Sequence, residues 1–223
     1  MAQPRILAHR GASGHQPENS LAAFREALRL GAHGVELDVH TTRDGALVVH
    51  HDPGLATLGE ISGLELETVR GIHLDNGEPI PTLQDALAVL GGAEVWIEAK
   101  TLPASADAEL LEAIDRAPSP EGCAVHSFDH RIVARLGERR PSLRRGVLSA
   151  SYPLDPTGPM QAAGANTLWQ AWHLIDLELV AAVHRKDAQL VAWTVNDSGI
   201  ARRLADLGVD ALCGNFPERL RIG

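Results

Sequence analysis

"QLVAWTVNDSGIARRLADLGVDALCGN", residues 189–215, is the stretch whose reading decides the fold. An apolar, β-branched run (189–196) gives way to a helix-like run (198–208) that stops at Gly208. A second apolar run (209–215) follows at once. Strand, helix and strand in direct succession make a βαβ unit, with parallel strands and the helix outside.

Upstream the same alternation repeats. Strand-like runs lie at 5–11, 34–42, 46–52, 94–100, 122–128, 144–149 and 165–170. Helix-like runs lie at 20–32, 82–91, 104–117, 130–138 and 176–187, with Ser20 and Thr82 as N-caps and Gly31 as a stop. Eight or nine strands predict a closed TIM (β/α)₈ barrel rather than an open sheet. No glycine-rich dinucleotide fingerprint follows the first strand. No linker or repeat divides the chain, so one domain over 1–223 is expected. One junction is short. From Asp38 to Leu47 there is no room for a helix, and "TTRDGALVV" reads as a hairpin with an Asp-Gly turn. Either the second strand runs into a small hairpin or the barrel is irregular there.

The chain has 223 residues, 44% hydrophobic and 22% charged, which is ordinary for a soluble globular protein. Aromatics are only 4%, so Leu, Val, Ile and Ala must fill the core. A net charge of −9 without a long Lys/Arg run argues against a nucleic-acid surface. An anionic ligand would need a local basic site or a metal ion. Cys123 and Cys213 sit in apolar runs and read as buried, reduced thiols. Neither a signal-peptide core nor a membrane-length apolar run is present, so a cytoplasmic protein without membrane anchoring is expected.

In such a barrel the chemistry collects where strands end. The first strand ends in His9-Arg10, the second carries Glu36 and Asp38, and the next run ends in His50-His51-Asp52. The run 94–100 carries Glu98 and Lys100, and the run 189–196 carries Trp193 and Asn196. Positions i and i+2 of a strand face the same way, so Glu36 and Asp38 point into the mouth together. Alone, that pair could simply form salt bridges. With Glu98 added, three carboxylates share a cleft, where leaving them unpaired costs several kcal/mol each. A divalent cation removes that cost, and an all-oxygen set suits Mg²⁺ or Ca²⁺ rather than zinc. His9 and His51 can act as base and acid on either side of a scissile bond. His50 faces away by strand alternation. Arg10 and Lys100 are either phosphate binders or ion-pair partners of the acids.

The stretch "HRGASGHQPENSLAAFREALRLGAHGVELDVHTTRDGALVVHHDP", residues 9–53 (HRG, PEN-S, a helical Phe, a Gly-Ala pair, E-x-D, T-x-D-G and HD in order), resembles the glycerophosphodiester phosphodiesterase family. Further likenesses are "IPTLQDAL" (80–87), "IEAK" (97–100), "HSF" (126–128), "WTVN" (193–196) and "GVDALCGNFPERL" (208–220). The resemblance implies a TIM barrel that hydrolyses a small glycerophosphodiester to glycerol 3-phosphate and an alcohol, acting as a monomer or small homo-oligomer. It makes His9 and His51 the general base and acid. It makes Glu36, Asp38 and Glu98 the ligands of one divalent cation, Mg²⁺ or Ca²⁺. Arg10, Lys100, Glu18, Asn19 and Trp193 would be the substrate-binding set, with Glu18 and Asn19 bracing the mouth and Trp193 forming an apolar wall. By analogy with related phospholipases, the glycerol 2-hydroxyl would attack first and give a cyclic phosphate. Alternatives are a lysophospholipase D-type phosphodiesterase and a non-catalytic barrel that binds phospho-ligands. A zinc hydrolase would want His-x-His on the first strand, which "HRG" does not supply. Two departures stand out. Gly214-Asn215 replaces the Thr-Asp of many relatives, and only about thirty residues follow "HHDP" where some relatives carry a small inserted domain.

Overall fold

The computed structural model describes residues 3–222. Eight parallel strands close into a barrel: β1 (Arg5–His9), β2 (Gly34–Thr41), β6 (Glu94–Thr101), β7 (Cys123–Ser127), β8 (Arg144–Ser149), β9 (Thr167–Ala171), β10 (Gln189–Trp193) and β11 (Ala211–Gly214). Each pairs with its neighbour in that order, and β11–β1 and β1–β2 complete the ring. The predicted barrel is therefore the observed fold.

The short junction is a hairpin. β3 (Leu47–Val49) runs antiparallel to β2, with Val39 opposite Val49 and Thr41 opposite Leu47. It is not a barrel strand, because Asp44-Gly45 turns the chain straight back. The strand expected over 46–52 is thus only three residues long. Between His51 and Pro81 the chain folds into a small flap: β4 (Gly54–Leu55), β5 (Gly59–Glu60) and α2 (Leu66–Arg70), closed over Leu55, Ile61, Val69 and Ile80. The sequence reading had no elements there, since none is long enough to show a period.

Seven further helices cover the barrel: α1 (Leu21–Arg29), α3 (Leu83–Leu90), α4 (Asp107–Asp115), α5 (His130–Arg139), α6 (Gly158–Ala162), α7 (Leu177–His184) and α8 (Ser198–Leu207). Ser20 caps α1 and Thr82 caps α3, the latter in a reciprocal capping box with Asp85. Apart from α5, which runs one residue further, the helices expected from the sequence are shorter than their apolar periods suggest, because end residues turn into the connecting loops. α6 begins at Gly158, inside the Pro/Gly-rich segment 152–159.

Between helices and strands lie aliphatic side chains, as the composition requires. Inside the barrel, Trp96 and Trp169 fill the axis with Leu7, Leu148, Val191 and Cys213, and their rings meet edge to face at 5.2 Å. Gly146 makes room for them: a Cβ there would lie 2.9 Å from Trp169 Cδ1. Below this layer, at the strand N-termini, Glu94 is bound by Arg5 and accepts hydrogen bonds from Arg144 Nη1 and Trp96 Nε1. That ion network plugs the base of the barrel.

Candidate active site

Strand register brings the charged residues together. His9 lies beside Glu36 across β1–β2, Asp38 beside Glu98 across β2–β6, and Glu98 beside His126 across β6–β7. Four adjacent strands thus deliver two imidazoles and three acids to one end of the barrel. Carboxylate oxygens of Glu36, Asp38 and Glu98 all lie within 4.8 Å of one another, and all three residues are buried. The convergence expected from E-x-D and "IEAK" is observed.

The cations on which an anion could be held are already engaged with these acids. Lys100 Nζ lies 2.7 Å from Glu98 Oε1 and 3.0 Å from Asp38 Oδ1. Arg10 Nε lies 3.1 Å from Asp38 Oδ2, and its Nη1 donates to Glu18. Arg10 is not part of β1. Its φ of 56° ends the strand, and its backbone N–H donates to the Glu36 carbonyl at 2.8 Å. Asn19, also at positive φ, is fully buried and donates from Nδ2 to Asp38 Oδ2 at 2.7 Å. Asn19 therefore contacts a carboxylate, not the open cleft.

The charges do not balance. Burial pushes Glu36 up to about 7, and the Asp38 carboxylate adds to the push. Burial also takes Glu98 to about 7, with Glu36 adding to it. Burial opposes ionisation of Asp38 as well, but Lys100, Arg10 and Asn19 outweigh it and hold Asp38 below the usual range. Asp38 is thus satisfied by protein groups, whereas Glu98 shares Lys100 with it and Glu36 receives only the Arg10 backbone N–H, at 3.2 Å. A buried donor set of oxygens only, with surplus negative charge, fits a hard divalent cation. Glu36, Asp38 and Glu98 would hold it.

His9 and His51 line the same small cleft, about 80 Å³, together with Glu36, Glu98, Lys100 and Trp193. His9 Nδ1 lies 2.8 Å from Asn215 Oδ1, and its Nε2 is 4.0 Å from Glu36 Oε2. His51 Nδ1 lies 2.8 Å from Asp52 Oδ1. Both His50 and His51 fall after β3, so strand alternation does not separate them. They diverge because the chain turns: His50 N–H donates to the Asp38 carbonyl, and the His50 side chain faces the flap beside Glu18. Trp193, the last residue of β10, meets Phe128 edge to face at 5.5 Å and forms an apolar side of the cleft. Asn196, read as a strand-end group, lies beyond β10, and its Oδ1 accepts from the Asn215 backbone N–H at 2.8 Å.

Three residues escaped the sequence reading. His126 is fully buried 3.6 Å from Glu36 Oε1, and burial drives its pKa down to about 4, so it is neutral. It is the penultimate residue of β7, a position that the likeness of "HSF" (126–128) marked without giving it a role. His40 follows Glu36 and Asp38 in the same two-residue step, and that spacing could have revealed it. Its ring spans Thr101 Oγ1 (3.1 Å) and the His51 carbonyl (3.0 Å), tying His51's backbone to β2. Asn215 was read as a departure at the rim, but it is the partner of His9. Gly214 beside it has no space for a side chain, since a Cβ would come 1.8 Å from the Val195 carbonyl oxygen.

A family model for the glycerophosphoryl diester phosphodiesterase family matches residues 9–219. The chain belongs to this family. Among relatives of the phosphodiesterase, a glycerophosphodiester phosphodiesterase of Caldanaerobacter subterraneus is 33% identical, covering 96% of this chain and 95% of its own. A probable glycerophosphodiester phosphodiesterase 2 of Mycobacterium tuberculosis is 32% identical, over 96% and 88%. Among solved structures, an Oleispira antarctica phosphodiesterase in complex with the product sn-glycerol-3-phosphate superposes with a TM-score of 0.90 at 24% identity, over 98% of this chain and 95% of that one. A structure from Silicibacter pomeroyi named "Putative glycerophosphoryl diester phosphodiesterase" superposes with 0.87 at 26% identity, over 98% and 92%. Among the described residues of this phosphodiesterase, no helix is long and apolar enough to cross a membrane.

Proposed function

We propose that this phosphodiesterase hydrolyses small glycerophosphodiesters to glycerol 3-phosphate and an alcohol, with residues 1–223 acting as one domain. The convergence of His9, His51, Glu36 and Glu98 on one cleft, with Asp38 in the same carboxylate cluster, supports the reading most strongly. A divalent cation, Mg²⁺ or Ca²⁺, held by Glu36, Asp38 and Glu98 would neutralise charge that grows on a non-bridging phosphate oxygen.

The chain's own residues do the rest. Arg10 and Lys100 stand at the cleft, where their donors can turn from the acids to the phosphate. Trp193 and Phe128 form a wall that keeps water off one side. His9 takes the proton of the glycerol 2-hydroxyl as its oxygen bonds to phosphorus. His51 gives a proton to the alcohol oxygen as the old P–O bond breaks. In the second half water attacks the cyclic phosphate, His51 now accepting its proton and His9 returning one to the 2-oxygen. The sum is diester plus water to monoester plus alcohol.

The test is release of glycerol 3-phosphate from several diesters, with EDTA and then Mg²⁺ or Ca²⁺ added back. Activity indifferent to the chelator would refute the cation's role. Phosphorus NMR of a slow variant should show transient cyclic phosphate, and one-step incorporation of solvent oxygen would count against it.

A specific observation favours a second reading, lysophospholipid hydrolysis. Phe128, Tyr152, Leu154 and Leu177 are large, apolar and exposed, and each follows a barrel strand at the catalytic end. Turnover of lysophospholipids above that of the deacylated diesters would establish it.

A further inference from the structure

We infer that Asn215 is a positioning residue that fixes the tautomer of His9. The inference rests on the proposed role of His9 as base. A neutral imidazole has one N–H and one lone pair, and the hydrogen bond at one nitrogen decides which remains at the other. The His9 ring lies between two acceptors. Asn215 Oδ1 is 2.8 Å from Nδ1, whereas Glu36 Oε2 is 4.0 Å from Nε2. Only the first is within hydrogen-bond range. The proton therefore sits on Nδ1, and Nε2, which faces the carboxylate cluster, carries the lone pair a base needs. Without the amide oxygen, Nδ1 has no acceptor at this position and nothing holds the proton there, so the Nε2–H form that a free imidazole favours takes over and blocks proton abstraction.

Asn215 is built in place for this. Its backbone N–H donates to Asn196 Oδ1 at 2.8 Å, and its carbonyl accepts from the Gly14 N–H at 3.0 Å. Loops after β1, β10 and β11 are thus tied through its main chain, while its side chain is left for His9. Substitution of the side chain leaves both backbone bonds possible. The role needs an acceptor, not a charge, so an amide oxygen serves.

Asn215→Leu and Asn215→Asp test the assignment. Nitrogen-15 NMR of the metal-free protein at neutral pH should show His9 as the Nδ1–H form in the wild type and in Asn215→Asp, and as the Nε2–H form in Asn215→Leu. In kinetics, Asn215→Leu should lose about 100-fold in kcat, the scale of one general base, with KM within about threefold. Asn215→Asp should recover most of kcat. A wild-type His9 in the Nε2–H form, or an Asn215→Leu enzyme with normal kcat, overturns the inference. His9→Ala distinguishes the two levels: normal turnover there means the base assignment itself has failed.

Discussion

Both ends of the barrel hold acids with cations beside them, yet the balance of charge differs in sign. At the base one carboxylate, Glu94, meets two arginines and the Trp96 N–H. Burial alone would raise its pKa, but those partners hold it below the usual range. At the mouth three carboxylates meet Lys100 and Arg10, and Glu36 and Glu98 are pushed up to about 7. The base is complete without any ligand. The mouth becomes balanced only with additional positive charge. Similar residue types thus make a neutralised plug at one end and a cluster with surplus negative charge at the other, according to whether cations or anions are in excess.

The contrast can be broken most directly at the histidines. His51→Ala should lower kcat by about 10³-fold while the melting temperature moves by no more than about 2 °C. A near-normal rate would remove His51 from the mechanism. Next, Glu98→Gln should abolish cation-dependent turnover, yet raise the melting temperature in EDTA at pH 8 by about 2–4 °C, because it relieves repulsion. A fall in melting temperature would mean that the acids are bound as firmly at the mouth as at the base. The opposite is expected of Glu94→Gln. It leaves Arg5 and Arg144 without their carboxylate and should cost about 1–2 kcal/mol, seen in denaturant unfolding, with kcat per folded molecule unchanged.

The smallest effect is on pH dependence. Glu36 and Glu98 are ordinary near 4.5 when unfolded and sit near 7 when folded, so the native state binds protons that the unfolded chain has released. Their contribution to stability therefore falls as pH rises through that window. His126 and His40 act in the opposite sense, but only below their unfolded value of 6.5. In EDTA the melting temperature should fall between about pH 6.5 and 8, and Mg²⁺ or Ca²⁺ should flatten the slope. A level profile in EDTA would show that the mouth carries no electrostatic strain.

Much of the site could be read from residue spacing. Glu36 and Asp38 share a face because strand side chains repeat every two residues, and Glu98 with Lys100 obeys the same rule. His126, Asn215 and the partners of Asn19 could not be read so. His126 meets Glu36 only through the β2–β6 and β6–β7 registers together, and Asn215 reaches His9 across 206 positions of sequence. The hairpin at β3 was left open because an Asp-Gly turn fixes a reversal, not whether the returning strand joins the ring.

By itself the sequence determined the alternation of strands and helices, the barrel it implies, and which acids and imidazoles stand near strand ends, because apolar periodicity and strand parity are local properties of the chain. Only the tertiary structure decided which of those groups meet, that Asn19 is spent on Asp38, and that His9 leans on Asn215. Those outcomes depend on closure of the ring, which sets the register of β1 against β2 and β11 and so fixes every distance across the mouth.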